Sequence, residues 1–217
     1  MRHSLVLKIA LLAAVSACDM GQFTVKTTAK VLVRGQPSLQ QEADWQLAHD
    51  AIPGALKTIE GFWIVHPENE NLIKILTEGY CQYGTGFVED DWEIAVFAKK
   101  PEEIAYHNTR STNIFSRCLN FALKQLGPRW QQEIFGETDV ALKLIKETGS
   151  QHRTALMWAG LALGSLINHN LNRVEMIAYL STVKAILNRV LEMDAKEGSL
   201  PTNKVHAAMP HVALGMV

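Results

Sequence analysis

Leu72, Ile75, Leu76, Gly79, Tyr80 and Tyr83 fall at i, i+3, i+4, i+7, i+8 and i+11. That spacing puts all six on one face of an α-helix. The stripe runs on through Phe87 towards Trp92 and Val96, and Lys99-Lys100-Pro101 stops it. A helix with one apolar face must bury that face against another element. This chain repeats the demand along its length.

Upstream, Leu47, Ile52, Leu56, Ile59 and Trp63, flanked by Ala55 and Phe62, form a second stripe. Ser38, with Gln41 three residues on, reads as its capping box. Pro53 predicts a kink, or a split near Asp50, and His66-Pro67-Glu68-Asn69 closes the segment. Downstream, Ile114, Cys118, Phe121 and Ala122 point inward from a helix over 108–125, ended by Gly127-Pro128. Two short helical pieces follow, over 130–135 and 140–147. Residues 154–167 are apolar almost all round and predict a central helix. Residues 174–193 place Met176, Leu180, Val183, Leu187 and Val190 on one face, with His169-Asn170-Leu171-Asn172 as the intervening turn. A loop over 194–201 leads to a further helix from Lys204.

No strand alternation competes with this pattern outside residues 19–38. The fold class is therefore all-α, with antiparallel helix pairs stacked as a solenoid or bundle. The rhythm of helix, polar loop and proline, at Pro67 and again at Pro201, is similar to that of tetratricopeptide repeats, whose period is about 34 residues. Leu76, Gly79 and Tyr80 echo part of that consensus. The chain stops in an apolar helical segment, Pro210-His211-Val212-Ala213-Leu214-Gly215-Met216-Val217, without a polar cap. The expectation is that the natural chain continues, or that this end packs on another subunit.

The N-terminus carries a different message. Arg2, His3 and Lys8 precede a short apolar run, Ile9 to Val15, and Val15-Ser16-Ala17-Cys18 follows. This is the order of a secretory signal peptide ending in a bacterial lipobox. The run is shorter than the roughly 20 apolar residues a membrane span needs. Cleavage before Cys18 removes residues 1–17 and leaves a thiol to be lipidated, and several acyl chains together give firm anchoring. Asp19 after the cysteine favours retention at the inner membrane, facing the periplasm. Residues 18–37 then read as a lipidated tether, Thr- and Val-rich with Gly35 and Pro37, and residues 38–217 as the helical domain. Lys26, Lys30 and Arg34 lie in that tether, which reads chiefly as a solvated linker.

The whole chain has 21 basic and 22 acidic residues, a formal charge of −1. That balance gives no basic face for nucleic acid. Cys81 and Cys118 remain beside Cys18. Their apolar neighbours favour buried free thiols, and the oxidising envelope leaves a disulfide as the alternative. His152, His169, His206 and His211 show no HExxH or CxxC spacing, so no metal site is expected. No nucleophile elbow surrounds a serine and no glycine-rich phosphate loop follows a strand, so neither an enzyme nor a cofactor is indicated. Gly160 and Gly164 are spaced for close helix packing.

Helix pairs in series make a concave surface. Its candidate lining is aromatic: Tyr83 and Trp92 foremost, then Trp63, Tyr80, Phe87 and Trp158. Aromatic residues at helical spacing are also core residues, which applies most to Trp63, Tyr80 and Phe87. Glu89-Asp90-Asp91-Trp92-Glu93 is an acidic run. Either it receives basic groups of a partner or it is a solvated helix face, and Glu89 and Asp90 enter the candidate groove on the first reading.

Several stretches together resemble a known family, the T-component lipoproteins of tripartite ATP-independent periplasmic (TRAP) transporters. They are Ala51-Ile52-Pro53-Gly54-Ala55-Leu56-Lys57; His66-Pro67-Glu68-Asn69; Glu78-Gly79-Tyr80-Cys81-Gln82-Tyr83 with Gly86-Phe87-Val88-Glu89; Ala155-Leu156-Met157-Trp158-Ala159-Gly160; Val190-Leu191-Glu192-Met193-Asp194; and His211-Val212-Ala213-Leu214-Gly215. Family members run on for further helices past the segment matching 210–217. The resemblance implies a repeat-helix lipoprotein that docks the transporter's periplasmic solute-binding protein, helps deliver or store a ligand, and forms oligomers. The other reading of the same helix pairs is a lipoprotein scaffold for assembly of an envelope complex.

Overall fold

Asp44 and Asn69 mark where two helices begin. Each holds an extended backbone, and each side chain accepts from the N–H three residues on, Leu47 at 3.0 Å and Leu72 at 3.2 Å. These are N-caps of the kind that satisfy a helix's first donors. The computed structural model describes residues 20–197 and 204–215. Its helices are α1 (Met20–Gly35), α2 (Pro37–Gln40), α3 (Trp45–Val65), α4 (Glu70–Tyr83), α5 (Glu89–Phe97), α6 (Pro101–Leu126), α7 (Pro128–Glu133), α8 (Thr138–Glu147), α9 (Arg153–Asn168), α10 (Val174–Ile177), α11 (Leu180–Glu197) and α12 (Lys204–Gly215). A π-helical turn, Gly84–Val88, joins α4 to α5. No strand occurs among the described residues, and the all-α reading holds.

The long helices stack in series. α4 lies between α3 and α6, α6 between α4 and α9, and α9 between α6 and α11, with α12 against both α9 and α11. One continuous core results, running from Val25 in α1 to Ala213 in α12. α9 sits at its centre, with Leu156, Met157, Trp158 and Leu163 all but sealed from solvent. Two glycines permit close approaches between helices. A Cβ on Gly160 would meet Ile186 Cγ2 at 2.7 Å, and one on Gly84 would meet Phe115 Cε1 at 2.9 Å. Gly160 thus serves helix packing, as its spacing suggested.

Arg153, at the start of α9, clamps the last helices together. Its Nε and Nη2 donate to the two carboxylate oxygens of Asp194 in α11, at 2.9 and 2.8 Å, and Nη2 also donates to the His206 carbonyl in α12. Lys99 at φ 54° ends α5, and Gly127 at φ 107° ends α6, both in the left-handed region where helices stop.

The structure corrects five sequence readings. The segment after Cys18 is not an unstructured tether where it is described: Met20–Gly35 is helical and packs on α3 and α4, with Val25 and Ala29 buried. Thr24 and Thr27 bond back to the carbonyls of Met20 and Phe23. β-Branched residues lower helix propensity, and burial against two neighbours outweighs that small cost. Ser38 lies inside the short α2 rather than capping α3, because the Asp44 carboxylate takes that place. Pro53 does not split α3, which runs unbroken from Trp45 to Val65. The stretch 174–193 is two helices, α10 and α11, with a turn at Ala178-Tyr179 between them. Cys81 and Cys118 are disulfide-bonded rather than free, their Cα atoms 4.9 Å apart. The contact between α4 and α6 brings them together, a distance no local pattern encodes. Cys18 and the lipobox lie outside the described residues.

Candidate functional site

Two adjoining cavities, of about 610 and 510 Å³, lie along α4 and share Gln40 and Gln82 as walls. Both volumes are in the range of small-molecule sites, roughly 300–1,000 Å³. The first is apolar. Leu32 of α1, Leu39 of α2, Ile52, Leu56 and Ile59 of α3, and Ile75 of α4 are among its lining residues. Gly79 belongs to this wall because a Cβ there would strike Leu56 Cδ2 at 2.4 Å. The second cavity lies between α2, the α4 end, α9 and α12. Gln40, Glu78, Gln82 and Thr85 give it a polar side, Trp158 and Met209 an apolar one. Glu78 and Gln82 are i and i+4 on α4 and so share a face.

Burial pushes the Glu78 carboxyl above the usual range, against a smaller opposing effect of the Lys74 charge and a hydrogen bond from Gln36. Burial also pulls His206 below its ordinary value, and the nearby Arg153 charge adds to this. The His206 ring meets Trp158 edge-on with centroids 5.6 Å apart. Trp158 is buried, and its Nε1–H has no acceptor among the described residues.

On the wall of the first cavity, Tyr83 links an ionic network to an aromatic cluster. The Arg110 guanidinium sits over its ring, 5.6 Å from the centroid, and donates through Nη2 to the phenolic oxygen. Arg110 Nη1 also donates to Asp91 at 2.6 Å. His49 lies between Asp50, at 2.8 Å, and Asp91, at 3.4 Å. The hydrogen bond to Asp50 raises His49, burial opposes it, and Asp91 adds to the rise. Burial raises the Tyr83 phenol in spite of Arg110. Trp45, His49, Tyr83 and Phe87 pack as neighbouring rings, and Phe87 also lines the cavity.

The structure therefore brings Tyr83, Phe87 and Trp158 to the cavities and places the other candidates elsewhere. Glu89 and Trp92 join a buried lock. His169 Nε2 faces Glu89 Oε2 at 2.9 Å and its Nδ1 faces Asn108 Oδ1 at 2.8 Å. Asn108 Nδ2 also donates to the His169 carbonyl. The Trp92 ring covers His169 edge-on. This lock ties α5 and α6 to the end of α9. Asp90 is exposed on α5. Trp63 donates to the Pro67 carbonyl and packs on Phe121. Tyr80 is buried, stacked on Phe121, with Arg117 over its ring; burial and the Glu60 carboxylate raise its phenol. Both hold α3, α4 and α6 together. Sequence reasoning missed Gln40, Glu78, Gln82, His49 and Arg110. Lys74, Glu78 and Gln82 recur every four residues as the polar stripe of α4, which in sequence has the look of a solvated face.

A family model described as TRAP transporter T-component matches residues 41–199. The chain belongs to this family. No curated protein and no solved structure matches the chain. The T-component match takes in α3 to α11, the helices that carry α4 and its cavities, whereas α1 and α2 precede it. In this T-component those two helices supply one wall of the apolar cavity. Among the described residues no group of three or more His, Cys, Asp or Glu is placed to hold a metal ion. No described helix is long and apolar enough to cross a membrane. The T-component is thus a part of a TRAP transport system, and it carries a hollowed face along α4.

Proposed function

We propose that this T-component is a lipid-anchored module that engages the periplasmic solute-binding protein of its TRAP transporter and assists solute uptake. The family match over residues 41–199 carries the reading. The cavities along α4 support it, because a transport accessory that delivers or stores a solute needs a preformed concave site. The lipobox at Cys18 supports the anchor: acyl chains there hold the helical domain at the envelope, facing the periplasm, and Asp19 keeps it at the inner membrane. The role is one of binding, without catalysis.

Cross-linking in intact envelopes, read by mass spectrometry, tests this. The expected product joins this chain to a solute-binding protein. Capture of this chain with itself adds a homo-oligomer to the picture. Capture only of an envelope-assembly machine, with no solute-binding protein, overturns the proposal in favour of a scaffold.

A further inference from the structure

We propose that the two cavities form one binding site for an amphiphile whose polar end donates N–H hydrogen bonds and carries no negative charge, with the apolar part beside Ile52 and Leu56 and the polar end at Glu78 and Gln82. The site goes beyond the docking role above and is defined on this chain alone.

The division of the walls carries the inference. The first cavity is bounded chiefly by aliphatic side chains of α1, α3 and α4, and the second by Gln40, Glu78, Gln82 and Thr85. Gln40 and Gln82 belong to both, so the two spaces meet at a pair of side-chain amides. A ligand that fills them changes from apolar to polar at that junction.

Charge sets the kind of polar end. Among the described residues no lysine or arginine lines either cavity, whereas Glu42 lines the first and Glu78 the second. Burial, with the Arg153 charge adding to it, lowers the pKa of His206, the imidazole on these walls among the described residues, and so disfavours its cationic form. Arg153 itself is occupied by Asp194 and the His206 carbonyl. A carboxylate or phosphate placed here would leave water and face Glu78 with no lysine or arginine among the described lining residues to pair with it, an arrangement in which the desolvation cost is poorly offset. An amine or amide finds the Glu78 carboxyl and the Gln82 amide oxygen as acceptors. An amide also has a carbonyl to offer, and the Gln82 Nε2 on the shared wall is a donor for it.

The test uses the full chain with Cys18→Ser, so that no lipid or detergent competes, and three probes of equal chain length: octylamine, octanamide and octanoate. Isothermal titration is expected to show binding of the amine and the amide, with octanoate weaker by about tenfold or more, the effect of one lost charge-assisted contact. Glu78→Gln is expected to weaken octylamine by about tenfold and octanamide by less than about threefold. Octanoate binding as tightly as the amine overturns the proposal, as does absence of binding by all three probes, or an unchanged octylamine affinity in folded Glu78→Gln. The ranking of the probes in the chain with Glu78 intact decides the matter even if that variant does not fold. Neither result bears on capture of a solute-binding protein, so the two readings fail separately.

Discussion

Cys81 on α4 and Cys118 on α6 are covalently joined, 37 residues apart in sequence, at the contact between the two helices. Both residues are fully buried. The bond shortens the unfolded chain's reach across the last residues of α4, the π-helical turn, α5 and the greater part of α6. Replacing both with alanine is expected to lower stability by about 2–4 kcal/mol, as for loops of this order. Urea unfolding of the oxidised and double-substituted chains checks this. An unchanged midpoint would remove the disulfide from the stability argument.

Asp194→Ala leaves the Arg153 guanidinium buried without its bidentate partner. The two side chains are 9 % and 10 % exposed. Removing one member of such a pair costs about 3–5 kcal/mol. Because Arg153 also holds the His206 carbonyl, the loss should be felt first in α12. Hydrogen exchange is expected to speed in α12 and the C-terminal half of α11 before the rest of the chain.

Gly160→Leu introduces a side chain where even a Cβ would lie 2.7 Å from Ile186 Cγ2 and 3.1 Å from Leu187 Cδ2. Both neighbours are buried and have little room to retreat. Overpacking of this kind costs about 1–3 kcal/mol, occasionally more. A lowered melting temperature with unchanged helix content in circular dichroism is the expected result.

His49 makes stability depend on pH. Its folded-state value lies above the ordinary 6.5, chiefly through the hydrogen bond to Asp50. The proton is thus held more tightly in the folded chain. The resulting stabilisation is fully present below about pH 6.5 and is lost as pH rises through the higher folded value. The site is partly open to water, so the effect is expected to be under about 1 kcal/mol. His49→Gln should flatten this part of the stability–pH curve, and NMR titration of the ring should show the raised midpoint.

Cys18→Ser is expected to release the protein from membranes into the soluble periplasmic fraction, since acylation at that thiol is the proposed anchor. Retention after washing would contradict the anchor.

Much of the helical layout was legible in the residues. The stripe from Leu72 to Tyr83 marked α4 and its buried face, and the stop at Lys99-Lys100-Pro101 is where α5 ends. The all-round apolarity of 154–167 marked α9 as central. These are consequences of local periodicity, which depends on neighbours within a turn or two. α1 was not legible, because its helix depends on burial against α3 and α4 rather than on its own Thr- and Val-rich composition.

The candidate site divides in the same way. Tyr83, Phe87 and Trp158 were readable as aromatic residues on inward faces, and they line the cavities. Trp63, Tyr80 and Trp92 had the same appearance in sequence and went to structural contacts, as did Glu89 of the acidic run. Sequence alone determined that this chain must build stacked helices around α4 and α9, because their apolar stripes have to be buried. Tertiary structure decided that Cys81 meets Cys118 and that α2, α4, α9 and α12 gather Gln40, Glu78, Gln82 and Trp158 around one hollow. The physical reason is that periodicity tells a helix which face to bury, whereas the axial offset and crossing of packed helices choose which side chains from distant segments meet.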